Sequence, residues 1–237
     1  MGEESNSIVR VMTWNIHGGV GSDRCCDLRR VVELVQRHSP DIVALQEVDS
    51  RRKTPHNGPA FEFLAAALGE HAAEARLITA PDGDYGHVVI SRWRFHETRR
   101  HDVSYGRREP RAVIETTVET PFGDLHVVAA HLGLSIQERR YQANLLSRVA
   151  QAGPARSVVL GDFNDLLRHG SVQQALSESL PNRTHHKTFP AWWPVLALDR
   201  IYCRPTPLLA RSWIDPLARR ASDHLPIIAD LDMAAAA

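Results

Sequence analysis

Short apolar runs rich in β-branched residues recur along the chain, and each meets a polar residue at one end. Ser7 to Trp14 runs into Asn15; Asp41 to Gln46 into Glu47; Asp124 to Ala130 into His131; Ser157 to Leu160 into Gly161-Asp162-Phe163-Asn164. Asp199 opens another run, and Asp223-His224 stands just ahead of Ile227–Asp230. Runs of four to eight residues are too short for buried helices and suit buried strands. A strand end is where a sheet delivers side chains rigidly to a shared edge. Taken singly, each ending has a bland alternative: a turn for Asn15 or Asp162, a solvated end for Glu47, a core imidazole for His131. Six in one chain point instead to one assembled site.

Between these runs the period changes. Leu28, Val31, Val32 and Val35 fall at helical spacing over Asp27–Gln36, with Ser39-Pro40 as a stop. Pro59–Leu68 fits a second helix ended by Gly69, and Ser135 with Glu138 forms a capping box for a third, reaching about Ala150. Strands are expected at 75–79, 87–91, 111–119, 124–131, 198–202, 210–213 and 227–230, with Pro121-Phe122-Gly123 as a hairpin turn. Alternating elements imply parallel pairing and the hairpin implies antiparallel pairing, so the expected class is α/β with mixed sheets. One domain spanning 1–237, with its core at about 8–232, accounts for the pattern.

Composition narrows the classes. At 237 residues a chain can bury about three-quarters of its unfolded surface without a disulfide or metal staple. No apolar stretch approaches the roughly 20 residues of a membrane span, and no leader precedes the first strand, so a cytoplasmic location is expected. Cys25, Cys26 and Cys203 have neither framework nor zinc-ribbon spacing. The 28 basic and 28 acidic residues cancel, which removes any chain-wide pull toward nucleic acid or anionic lipid. Only Lys53 and Lys187 among the basic residues are lysines; the arginine bias reads equally as phosphate-binding forks or as base composition.

The polar endings share a chemistry. Glu, Asp and Asn offer hard oxygens suited to Mg²⁺ or Mn²⁺, which bind through one or two carboxylates, water and substrate phosphate. An Asp–His pair supplies an oriented imidazole, and further His and Asn side chains can donate to phosphate oxygens as charge builds. Metal, water activator and phosphate clamp together describe hydrolysis of a phosphate ester. In the Arg107, Arg108 and Arg111 cluster, Arg111 is the one expected to face phosphate, a solvated loop being the alternative.

Thr13-Trp14-Asn15-Ile16-His17-Gly18, Leu45-Gln46-Glu47-Val48, Ala130-His131-Leu132, Gly161-Asp162-Phe163-Asn164, Leu198-Asp199-Arg200-Ile201 and Ser222-Asp223-His224-Leu225-Pro226 occur in the order of the endonuclease/exonuclease/phosphatase superfamily. The chain resembles that superfamily from about residue 8 to 232. The resemblance implies the deoxyribonuclease I-like fold: a four-layer α/β sandwich, two mixed β-sheets face to face with helices outside. It implies Glu47 as main metal ligand, with Asn15 beside it and Asp223 in support, and Mg²⁺ or Mn²⁺ as the ion. Asp162 would position or activate the attacking water, and Asn164 would hold a phosphate oxygen. His131 would donate to phosphate. His224, oriented by Asp199, would stabilise the developing charge or act as general base. The implied reaction is in-line attack by water without a covalent intermediate.

Departures from the superfamily pattern bear on substrate. His17 stands where repair endonucleases carry an acid, and Trp93-Arg94-Phe95 replaces a proline-containing turn. His87 replaces an asparagine common in bacterial relatives and is expected to contact substrate. Trp192-Trp193 suits stacking on a base, contact with lipid or plain loop packing. The partner is then a phosphate-ester substrate, with nucleic acid as one candidate and a small-molecule or lipid-headgroup ester as the other. A non-catalytic phosphate-binding module is the reading from a different class. No protein partner is implied, and a monomer is expected.

Overall fold

The computed structural model describes residues 7–52, 59–166 and 170–236. In chain order its elements are β1 (Ile8–Asn15), α1 (Leu28–His38), β2 (Ile42–Asp49), α2 (Ala60–Leu68), β3 (His71–Ala80), β4 (Gly83–Ser91), β5 (Phe95–Asp102), β6 (Ala112–Thr120) and β7 (Gly123–His131). There follow α3 (Ile136–Ala152), β8 (Ser157–Asp162), α4 (Ser171–Leu176), β9 (Asn182–Arg183), β10 (Asp199–Arg204), β11 (Leu209–Ile214) and β12 (Ile227–Asp232).

The strands form two six-stranded sheets, ordered β11-β12-β1-β2-β4-β3 and β5-β6-β7-β8-β10-β9. Each holds one parallel pair, β1 with β2 and β7 with β8, among antiparallel neighbours. The mixed-sheet expectation therefore holds.

Alternation along the strands explains the layering. Val9 and Val11 of β1 point into an inter-sheet core with Ile114, Val127, Leu160, Ile201 and Ala229. Met12 and Trp14 of the same strand face outward, onto α1 through Leu28, Val31 and Val35 and onto α2 through Phe61 and Leu64. The second sheet repeats this: Val128, Ala130 and Val159 pack outward on Ala143 and Leu146 of α3 and on Val172 and Leu176 of α4. Because both faces of the central strands are covered, their sequences read as near-continuous apolar runs. Each such fully buried side chain contributes about 1.5–3 kcal/mol.

Local signals set the helix ends. The Asp27 side chain accepts from Arg29 N at 3.0 Å to cap α1, and Ser39 closes it in a left-handed conformation at φ 47°. Ser135 Oγ accepts from Glu138 N to cap α3, while the Glu138 carboxylate accepts from Gln142 Nε2. Three elements carried no readable signal. Strand β5 is Phe-His-Glu-Thr-Arg-Arg-His-Asp and largely exposed; it is an edge strand whose charges cover its open side and erase any apolar alternation. Helix α4 and strand β9 are six and two residues long, below the reach of periodicity.

Candidate active site

Topology gathers the polar endings on one edge. Parallel β1 and β2 both finish there with Asn15 and Glu47, and parallel β7 and β8 with His131 and Asp162. Antiparallel β10 and β12 start where those strands stop, so Asp199 pairs in register with Asp162, and Asp223-His224 arrives on the loop leading into β12.

Two local distortions aim the side chains. A bulge between Leu45 and Val48 interrupts the β2–β4 ladder, and within it Glu47 has φ 56°. Bulges of this kind re-aim a side chain at a sheet edge, and a non-glycine residue held in this region costs about 1–3 kcal/mol. Asn164 is held likewise at φ 51°. Gly161 has φ 149°, and a Cβ there would meet Ala130 O at 1.8 Å. The glycine lets β8 lie against β7 while it delivers Asp162.

Asn15 ties the site together. Its Nδ2 donates to Glu47 Oε1 at 2.8 Å and to Asp162 Oδ2 at 3.0 Å, and its Oδ1 accepts from His17 N. The second Asp162 oxygen accepts from Asn164 N at 2.9 Å, while Asn164 Nδ2 donates to Leu132 O. His224 Nδ1 is 2.8 Å from Asp199 Oδ2, and its Nε2 faces Asp162 Oδ2 at 3.9 Å. His131 Nε2 stands 3.7 Å from the same Asp162 oxygen and 3.9 Å from Glu47 Oε1. Behind it, Arg111 NH1 lies 3.0 Å from His131 Nδ1 and 2.9 Å from Glu109.

These contacts sort the protonation states. Burial disfavours the charged form of His224, but Asp199 and Asp162 outweigh it and raise its pKa to about 10. That imidazole is cationic at neutral pH. Burial and the Arg111 cation instead drive His131 well below the ordinary value, so it is neutral. Burial pushes Glu47 upward, yet His17, His131 and the Asn15 amide prevail and hold it at about 2. Asp162 moves upward because it is buried and faces Asp199. Asp162, Asp199 and His224 form a buried group able to hold a metal ion, with ligand atoms within 4.8 Å of one another.

A cavity of about 470 Å³ opens over this edge. Glu47, Arg111, His131, Asp162, Asn164 and His224 line it, together with Tyr85, Glu109, Leu134, Leu166, Phe189, Leu196 and Leu198. Asn15 and Asp199 sit beneath the surface, 1% and 0% exposed. Asp223 lies at the rim beside His17, whose Nδ1 is 3.4 Å from Glu47 and 3.8 Å from Asp223. His87 stands outside the lining: it is buried, both ring nitrogens lack a hydrogen-bond partner, and burial with the nearby Arg111 lowers it to about 3. The sequence offered no periodic signal for Tyr85 or Glu109. Phe189, whose ring centroid is 4.8 Å from that of His224, lies on the same loop as Trp192-Trp193. Trp14 Nε1 donates to His224 O, and Ser222 Oγ donates to Asn15 O; these brace β1 against the histidine loop.

Comparison with known proteins agrees with this geometry. The model of the Endonuclease/Exonuclease/phosphatase family matches residues 12–224. The chain belongs to this family. The family's reach is seen in Escherichia coli (strain K12), whose uncharacterized protein YbhP is 33% identical over 94% of this chain and 96% of its own length. An endonuclease/exonuclease/phosphatase from Beutenbergia cavernae superposes with a TM-score of 0.75 at 22% identity, covering 95% of this chain and 71% of that one. The human Nocturnin catalytic domain, crystallised with a bound sulfate anion, has a TM-score of 0.68 at 20% identity, covering 94% of both chains. The two sheets with outer helices are thus the deoxyribonuclease I-like sandwich of this family.

Proposed function

We propose that the protein is a Mg²⁺- or Mn²⁺-dependent phosphoesterase that hydrolyses a phosphodiester by in-line attack of water. The observation that carries this reading is the convergence of the Nε2 atoms of His131 and His224, at 3.7 and 3.9 Å, on a single oxygen of Asp162. The sulfate anion of the Nocturnin catalytic domain, tetrahedral and anionic like phosphate, supports the assignment.

The donor set fits a hard cation. Glu47 stays ionised, and Asp223 Oδ1 is buried without a hydrogen-bond partner. Glu47 would hold the ion with Asn15 and Asp223 beside it, since Mg²⁺ and Mn²⁺ prefer oxygen. A ligating imidazole must be neutral, so the Asp162–Asp199–His224 group could take an ion only with His224 deprotonated, and protonated His224 is left to face the substrate. When bound, the ion supplies a Lewis-acid charge that polarises a phosphate oxygen.

The remaining steps belong to the chain. Asp162, raised toward neutrality and oriented by Asn15 and Asn164, accepts the proton of the attacking water. His224, its Nδ1–H directed to Asp199, presents Nε2–H to the phosphate. His131 presents a second N–H there, and Arg111 adds a guanidinium at the wall. Donors fixed where charge accumulates lower the barrier without reorganising. The test is turnover of bis(p-nitrophenyl) phosphate: chelator should abolish it, Mg²⁺ or Mn²⁺ should restore it, and Glu47→Ala or His224→Ala should remove it. Full activity in either variant overturns the assignment.

A further inference from the structure

Exposed apolar side chains are not scattered over this protein. Of the eight large ones among the described residues, seven lie on three segments that each also supply a residue lining the cavity: Leu134 before α3, Leu166 after Asn164, and Phe189 and Leu196 flanking the tryptophans. Leu134, Ile136 and Tyr141 follow His131 on the loop and first turns of α3, and Leu166 follows Asn164. Trp192, Trp193 and Val195 form the tip of the loop joining β9 to β10. A bridge between Phe189 and Leu196 closes that loop at its base, and Ala191 N donates to Asp223 O at 2.7 Å. The tip is thus anchored to the site while its tryptophans stand 72% and 66% exposed, and Leu134 across the cavity is 74% exposed.

We propose that this rim docks on a lipid bilayer and presents a lipid-headgroup phosphate ester to the cavity. The docking surface stands on the distribution of apolar side chains; the substrate class rests also on the phosphoesterase reading above. A cluster around one opening marks a contact surface rather than ordinary surface composition. Its make-up selects lipid over nucleic acid. Strand-binding grooves pair aromatic platforms with a basic track, whereas four of these seven side chains are aliphatic and have no face on which to stack a base. Tryptophan and tyrosine with flanking aliphatics suit the headgroup–acyl boundary. Exposed Arg140 stands beside Tyr141 on α3, and exposed Arg107 is on the loop whose Tyr105 packs 5.4 Å from Tyr141, next to Arg108, which faces Glu138 at 3.8 Å. They supply attraction to anionic headgroups in a chain of zero net charge.

The experiment is co-sedimentation of the full chain with phosphatidylcholine vesicles, with and without phosphatidylglycerol, beside turnover of soluble bis(p-nitrophenyl) phosphate. The wild type should bind, more tightly with phosphatidylglycerol. Trp192→Ser/Trp193→Ser and, separately, Ile136→Gln should weaken binding, the double variant by roughly tenfold or more, and leave turnover of the soluble diester unchanged. The docking surface is overturned if the wild type ignores both vesicles or the variants bind like the wild type. It is also overturned if the substitutions abolish binding of a single-stranded oligonucleotide while vesicles are not bound. Vesicle binding is read without turnover, so vesicle binding by a protein inactive on every ester would refute the phosphoesterase reading and leave the docking surface standing.

Discussion

Arg111 and His131 meet through Arg111 NH1 and His131 Nδ1 at 3.0 Å, and this contact decides where the histidine carries its proton. A guanidinium can only donate. His131 Nδ1 must therefore accept, which leaves the hydrogen on Nε2, the nitrogen that faces Glu47 and Asp162. The buried arginine acts through the histidine as well as at the cavity wall.

Replacing Arg111 by Met should lower kcat/KM by about 10²-fold and change the pH profile. The Arg111 cation helps to keep the His131 pKa low. Its removal should raise that pKa toward the ordinary value and add a second titration to the acid limb that Asp162 already gives the wild type. A rate loss with an unchanged profile would reduce Arg111 to a substrate contact.

The Asp199–His224 pair predicts the opposite limb. Asp199 is the leading stabiliser of the His224 cation, whose pKa stands at about 10. Because that folded-state value is raised, the stabilisation is complete below about 6.5 and disappears as pH rises through about 10. Asp199→Asn should move the alkaline limb of kcat downward from about 10 and reduce the neutral-pH rate by about 10²-fold or more. A kcat–pH series on the two proteins measures both.

Gly161→Ala should be severely destabilising. The added Cβ would lie 1.8 Å from Ala130 O, on a backbone with φ 149°. A cost of about 3 kcal/mol or more is expected, read as a fall in thermal midpoint or loss of soluble protein. Phe163→Leu, which keeps the neighbouring buried side chain apolar and forces no clash with backbone, should cost less.

Metal should stabilise as well as activate. Saturation at about 100 times Kd adds about 2.7 kcal/mol, so the thermal midpoint should rise with Mg²⁺ or Mn²⁺ and fall back with chelator. Glu47→Gln should abolish most of that rise.

The residues that converge on the candidate site were readable one by one, because a strand buried on both faces is an unbroken apolar run and a polar residue at its end stands out. Asn15, Glu47, His131, Asp162 and His224 announced themselves this way. The capping residue Ser135 marked the start of α3 for a similar reason: its side chain bonds to one of the next few amides. Strand β5 did not, since an exposed edge strand obeys charge rather than burial. His87 misled, because its place in a strand cannot say whether a neighbouring bulge leaves it in the cavity or behind it.

Local sequence therefore determined the buried strands and the chemistry that waits at their ends, but not the exposed edge strand β5 or the two-residue β9. Tertiary structure alone decided protonation, since His131 and His224 are equally plain histidines until Arg111 stands beside one and Asp199 beside the other. It also decided that Leu134, Leu166 and Phe189, far apart along the chain, line one cavity. Both outcomes depend on distances and on exclusion of water between segments remote in sequence, and no local pattern encodes those.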